Sequence, residues 1–234
     1  MKTIGSTIIM LALASSLFAD NGKELKLASP DGTHEIAFYQ KQVSPAVNEL
    51  CYRVDYKSQP VVNESRAGLE LDNRIWEMAL GVRNLKQPAC WMDNLEVDSV
   101  TYQPETNLTW QPLYGERSSV RDHYRAGTLC LSKKDNSGYR LNIEVRAYNE
   151  GVAFRYFFPE HPKAIFHKVV GDLTEYALPA GTKAWTEQWA QAFFERLNID
   201  DIKHPVERAL TFELPNGKWA ALADADVDDW CLTK

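Results

Sequence analysis

The stretch that decides the fold is Arg140-Leu141-Asn142-Ile143-Glu144-Val145-Arg146-Ala147-Tyr148-Asn149-Glu150-Gly151-Val152-Ala153-Phe154-Arg155-Tyr156-Phe157-Phe158. Leu141, Ile143, Val145 and Ala147 alternate with Asn142, Glu144, Arg146 and Tyr148. Val152, Phe154, Tyr156 and Phe158 repeat the alternation. A period of two places apolar side chains on one face of a strand. Asn149-Glu150-Gly151 separates the runs and predicts a tight hairpin, with Gly151 at positive φ.

The same signature recurs outward from this hairpin. Leu50, Tyr52, Val54 and Tyr56 alternate with Cys51, Arg53, Asp55 and Lys57. Leu129 and Leu131 lead into Leu141–Val145 through a turn containing Asn136, Ser137 and Gly138. Leu210, Phe212 and Leu214 lead through Pro215-Asn216-Gly217 to Trp219, Ala221 and Ala223. Short strands spaced by turn residues indicate an antiparallel sandwich or barrel. Helical periodicity is scarce. From Glu187 to Leu197, Trp189, Phe193 and Leu197 fall four apart, which suits a short amphipathic helix or an aromatic-rich connecting loop. No repeat, low-complexity segment or flexible linker divides the chain.

The 234 residues carry a net charge of −6 with acidic and basic groups interspersed, so no basic stripe exists to neutralise nucleic-acid phosphates. Hydrophobic residues make up 44 %, enough for a substantial core. Lys2, the apolar run Ile8 to Ala14 and small residues up to Ala19 have the order of an export signal. The expectation is a signal over 1–19, cleaved before Asp20, and an exported, periplasmic protein. Ala12-Leu13-Ala14 is a second possible cleavage site. No later segment has the roughly 20 apolar residues that a membrane helix needs. Cys51, Cys90, Cys130 and Cys231 allow three disulfide pairings or stay as buried thiols; with no CxxC pair, they do not match a zinc motif.

Residues able to carry chemistry are dispersed. Asp224-Ala225-Asp226-Val227-Asp228-Asp229 opens like a calcium loop, but Asp229 stands where an EF-hand needs glycine, so the run is an acidic strand end. His34, His123, His161, His167 and His204 show no zinc spacing, and His123 is read as a hydrogen-bonding partner between strands. No GxSxG elbow and no carboxylate pair of recognisable spacing is present. Trp110, Tyr114, Trp185, Trp189, Phe193 and Phe194 divide between sandwich core, which should take most of them, and sugar-stacking surface, for which Trp185 and Trp189 are the candidates.

Several of these segments, in order, resemble the N-terminal domain of glycoside hydrolase family 97. They are Ser29-Pro30-Asp31-Gly32, Gly68-Leu69-Glu70-Leu71, Trp110 to Arg117 continuing through Arg121-Asp122-His123-Tyr124, Arg140 to Tyr156, Leu173-Thr174-Glu175-Tyr176, and Ala184-Trp185. The resemblance runs from about residue 25 to the C-terminus. It implies an all-β fold, an antiparallel β-super-sandwich like that of galactose mutarotase, as one domain over 20–234 cut short at its C-terminal end. It also implies a role in exo-acting α-glucosidases and α-galactosidases, where this domain packs on a catalytic (β/α)8 barrel and lends residues to its rim. Partners would be α-linked glucoside or galactoside oligosaccharides and a barrel in cis or in trans, with no nucleic acid and no membrane after signal cleavage. The family places a calcium-binding glutamate eleven positions after the alanine of an Ala-Trp pair, which carries that role to Glu195. Calcium needs six to eight oxygens, so Glu195 alone would not hold it tightly. A barrel needs about 250 residues, so the family's catalytic carboxylates fall outside this sequence, and the chain alone is expected to be inactive. A stand-alone carbohydrate-binding module and an inactive relic are the alternative readings.

Overall fold

The structure is a computed structural model that describes residues 23–73, 78, 90–134, 137–163 and 166–225. The 1–19 segment, Asp226 to Asp229 and Cys231 lie outside the described residues. Every strand pairing among the described residues is antiparallel. With its sheets open, the fold is the all-β antiparallel sandwich that the family resemblance implies, one of the two forms that the alternation allows.

One sheet is a meander of β1 (Glu24–Ala28), β2 (His34–Ser44), β3 (Val47–Tyr56) and β4 (Gln59–Arg66). A short pair joins β5 (Leu69–Leu71) to a later strand, β11 (Val169–Asp172). The opposing sheet contains β6 (Leu95–Tyr102), β7 (Thr106–Trp110), β8 (Val120–Lys133), β9 (Arg140–Tyr148) and β10 (Gly151–Phe157), in the order β10-β9-β8-β6 with β7 also on β8. A further sheet holds β12 (Lys183–Thr186), β13 (Glu195–Asn198), β14 (Leu210–Glu213) and β15 (Trp219–Leu222), in the order β13-β12-β14-β15.

The core lies between the two large sheets. Leu25, Ile36, Phe38, Leu50 and Tyr52 come from one side, and Leu129, Leu131, Leu141, Ile143, Val145 and Ala147 from the other. Phe154 ties them together. Its ring meets Phe38 edge-on at 5.2 Å and Tyr52 at 5.3 Å. Tyr52 satisfies its buried hydroxyl by donating to the Glu175 carbonyl, 2.5 Å away. Val61 and Leu178 pack on this core and also on the smaller one of Ala184, Phe212 and Leu214, so β12 to β15 are held against the sandwich.

Two local expectations are corrected, and one open alternative, helix or aromatic-rich loop over 187–197, is decided for the loop. Gly151 is not a positive-φ turn residue: it opens β10 opposite Tyr148, and Asn149-Glu150 make the turn. The β14–β15 hairpin forms with Gly217 at φ +78°, but its second strand has the opposite phase. Ala220 and Leu222, not Trp219, Ala221 and Ala223, share the face of Phe212 and pack on its core. No helix forms over Glu187 to Leu197; β12 and β13 make a hairpin there. A helix would separate Thr186 from Glu195, nine residues on, by about 13.5 Å, whereas the two are cross-strand partners, about 5 Å apart. Of the open cysteine alternatives, Cys51, Cys90 and Cys130 are free thiols.

An aromatic cluster closes one end of the core. His167 stacks on Phe158 at 4.2 Å and meets Trp91 and Tyr139 at 5.9 and 5.7 Å. Asn73 Oδ1 accepts from the Lys168 amide, which turns Asn73 Nδ2 toward His167 Nδ1, 3.1 Å away. His167 Nδ1 therefore accepts and the ring is neutral. Burial, with His161 nearby, lowers its pKa to about 4. Such a group binds its proton more readily unfolded, so its stabilisation is complete above pH 6.5 and is lost as pH falls toward 4. Urea denaturation of wild type and His167→Phe, which keeps the stack but cannot titrate, should show this. The stability difference between them should shift by about 3 kcal/mol between pH 7 and pH 4. Parallel pH dependences would refute the assignment.

Candidate functional site

The sheet β13-β12-β14-β15 carries both kinds of predicted site residue, and strand alternation sorts them onto opposite faces. Ala184 faces Leu197 across the ladder, and Thr186 faces Glu195. This inner side holds Phe212 and the small core. Trp185 faces Arg196 on one neighbour and Thr211 on the other, so it points outward. Glu195 and Trp185 therefore do not converge on one site.

Glu195 opens onto a concavity of about 180 Å3 at the end of the inner face, lined also by Thr186, Gln188, Asp201 and His204. Thr186 is buried and spends its hydroxyl on the Glu195 carbonyl, which fixes the end of the hairpin. Asp201 belongs to the 3-10 turn Ile199–Asp201, and its Oδ2 accepts from Asn198 Nδ2 at 2.9 Å. Among the described residues, no three His, Cys, Asp or Glu side chains gather as a metal-binding group. The concavity thus offers two carboxylates, those of Glu195 and Asp201.

Residues 187–194 bridge β12 and β13. A turn closes where the Ala192 amide donates to the Trp189 carbonyl, and the Glu207 amide donates to the Glu187 carbonyl at the loop's start. The backbone is tied, yet the aromatic side chains point away from the protein: Phe193 is 93 % exposed, Phe194 69 % and Trp189 57 %. A second exposed group stands at the tip between β7 and β8, with Trp110, Leu113 and Tyr114. The expectation that most of these aromatics are core is overturned. The sandwich fills its core with aliphatic residues and with Phe38, Tyr52, Trp91 and Phe154, leaving these loops beyond both sheets.

Below the β7–β8 tip, His123 Nε2 pairs with Glu105 Oε1 at 2.7 Å and Arg125 Nε with Glu105 Oε2 at 3.0 Å. His123 thus has the hydrogen-bonding role read for it, but its partner lies in the β6–β7 connection and not on a neighbouring strand. Asp224, first of the acidic run, is ion-paired with Arg208. Trp219 was missed as a surface residue. It is 58 % exposed and its ring lies 4.5 Å from that of Trp185. Trp219-Ala220-Ala221-Leu222 is apolar throughout, so its sequence gives no alternation to set the phase.

The model of the glycosyl-hydrolase 97 N-terminal family matches residues 27–234. A retaining α-galactosidase of Bacteroides thetaiotaomicron is 26 % identical over 178 residues, which is 76 % of this chain and 22 % of that protein. The chain thus matches about a fifth of the length of that curated relative. Among solved structures, a glycoside hydrolase family 97 enzyme of Pseudoalteromonas sp. in complex with panose superposes with a TM-score of 0.68 at 24 % identity, over 82 % of this chain and 27 % of that one. The same enzyme in complex with acarbose gives the same values. A β-arabinopyranosidase superposes with a TM-score of 0.67 at 16 % identity, over 84 % of this chain and 31 % of that one. These structural likenesses are likenesses of fold.

The exposed loop carries a stability expectation. Trp189→Ala, Phe193→Ala and Phe194→Ala should each change the unfolding free energy by no more than about 0.5 kcal/mol. Phe212→Ala, in the small core, should cost about 3–5 kcal/mol. Urea denaturation followed by circular dichroism checks both; a loss of several kcal/mol at Phe193 would show that the loop is core after all.

Proposed function

Because the chain belongs to the glycosyl-hydrolase 97 N-terminal family, we propose that it packs on a catalytic (β/α)8 barrel, in cis or in trans, and completes that barrel's sugar site without doing the chemistry itself. The observation that carries this reading is the outward aromatic loop Trp189-Phe193-Phe194 beside Glu195, seconded by the tip Trp110-Leu113-Tyr114. Large apolar side chains held on tied backbone outside a filled core are the mark of a surface that another body covers. Burying them at a second domain would repay the hydrophobic cost of exposing them here.

In this reading Glu195 presents one carboxylate from the rim. Calcium, when bound, would supply a fixed positive charge there, with its other oxygens coming from the partner domain and water. The substrates are α-linked glucosides or galactosides, a choice supported by the names of the relatives and by the panose and acarbose bound to the Pseudoalteromonas enzyme. The N-terminal order of Lys2, apolar run and small residues supports export to the periplasm as part of the same proposal.

Reconstitution tests it. The purified chain should show no turnover of aryl α-glucosides or α-galactosides, with or without calcium. Added to a separately produced barrel of the family, it should raise that barrel's turnover. A Phe193→Ser/Phe194→Ser variant should fold as wild type does and give a much smaller increase. Turnover by the chain alone above a protein-free control would overturn the proposal, as would a barrel indifferent to the chain.

A further inference from the structure

The outer face of β13-β12-β14-β15 has its own construction. Cross-strand pairing places Arg196, Trp185, Thr211, Glu213 and Trp219 on it together. Two planar groups then lie against the Trp185 ring. The Arg196 guanidinium lies 5.0 Å over the Trp185 ring, and Trp219 lies 4.5 Å from the same ring with the planes 30° apart. Arg196 Nη2 is in turn ion-paired with Glu213 Oε2. Trp185 thus has two neighbours against its ring, while Trp219, on the end strand of this sheet among the described residues, is 58 % exposed.

We propose that this face binds a pyranose ring of an α-linked oligosaccharide, stacked on Trp219 with Arg196 and Glu213 available to its hydroxyls. The proposal rests on the sugar reading above for the ligand's class, and on the geometry for its place. A pyranose has one face of C–H groups and a rim of hydroxyls. An indole face suits the first. A guanidinium keeps several donors and a carboxylate several lone pairs after they meet in a single contact, which suits the second. The stack is already formed, so little side-chain freedom is lost on binding.

The charges on this face argue for a sugar over a protein. Lys183 sits directly opposite Glu213 on the same side. A packed sheet or a second copy of the chain would strip water from Lys183, Arg196 and Glu213 together, a cost that apolar contact with two indoles does not obviously repay. Sugar hydroxyls can replace that water one for one. The alternation also fixes that this face is not the Glu195 face, so a sugar held here would be held by its own contacts.

Calorimetric titration of the full chain with maltotriose and with raffinose is the test. Saturable millimolar binding of at least one is expected. Trp219→Ala should weaken it roughly tenfold, and Trp219→Phe should retain most of it, as expected if stacking supplies about 1.4 kcal/mol. Glu213→Gln should weaken it less. Phe157→Ala, an exposed aromatic on β10, should bind as wild type does. The proposal is overturned by no binding of either sugar, by undiminished binding in Trp219→Ala, or by binding lost in Trp189→Ala but not in Trp219→Ala. That last outcome would move the sugar to the 187–194 loop. A Trp219-dependent dimer in sedimentation would replace the sugar with a second copy. The barrel reconstitution above reads a different surface, so these failures leave that reading standing.

Discussion

Everything in this chain depends on the register of β9. Leu141, Ile143, Val145 and Ala147 are all within 1 % of full burial, and the strand is paired along both edges, by β8 and by β10. A slip of one residue on either side would turn this apolar set to solvent and bring Asn142, Glu144 and Arg146 inward. Burying two unmatched charges and an amide would cost more than the whole stability of a typical domain. The register is therefore not negotiable. With it go the positions of Phe154, Phe38 and Tyr52, which carry the packing across to the other sheet.

That constraint sets where function can sit. The strands of the two large sheets are committed by their inward faces, and the aromatic cluster around His167 seals one end. What remains adjustable is the periphery: the β7–β8 tip, the 187–194 loop and the outer face of the last sheet. Loops and outer faces carry chemistry on rigid scaffolds because they can change without disturbing a register. The last sheet is attached through its own small core and through Val61 and Leu178. Its two faces are thereby fixed relative to the sandwich.

The sequence was most legible where alternation is strict. β3, β9 and β10 can be read residue by residue, because polar and apolar groups take turns along them. It was least legible where a segment is apolar throughout or where geometry outside the segment decides. Trp219-Ala220-Ala221-Leu222 has no polar residue to mark its outward side, and only pairing with Leu210 and Phe212 reveals the phase. The 187–197 stripe has helical spacing by composition alone. The pairing of Thr186 with Glu195 excludes a helix there, and no local pattern encodes that pairing. Gly151 illustrates the limit of turn chemistry: a glycine beside Asn-Glu suggested a special φ, but a two-residue turn left it an ordinary strand residue. For the site, Glu195 was found through family likeness. Its separation from Trp185 follows from the ladder register: Glu195 pairs with Thr186, the chain neighbour of Trp185, so alternation turns the two to opposite faces, and this becomes visible only once the hairpin is known.

Separating the two faces changes how the aromatic residues must be weighed. A single cluster of Trp185, Trp189, Phe193 and Phe194 would have been one sticky patch with one purpose. Instead the 187–194 loop presents rings with no charged partner in the same stack, whereas Trp185 and Trp219 are stacked with Arg196 and bordered by Glu213 and Lys183. The first arrangement gains most when water leaves completely, as at a domain interface. The second keeps its charges solvated and gains most from a ligand that is itself partly polar. The same residue type therefore suits two kinds of contact, and the difference lies in what each ring has beside it.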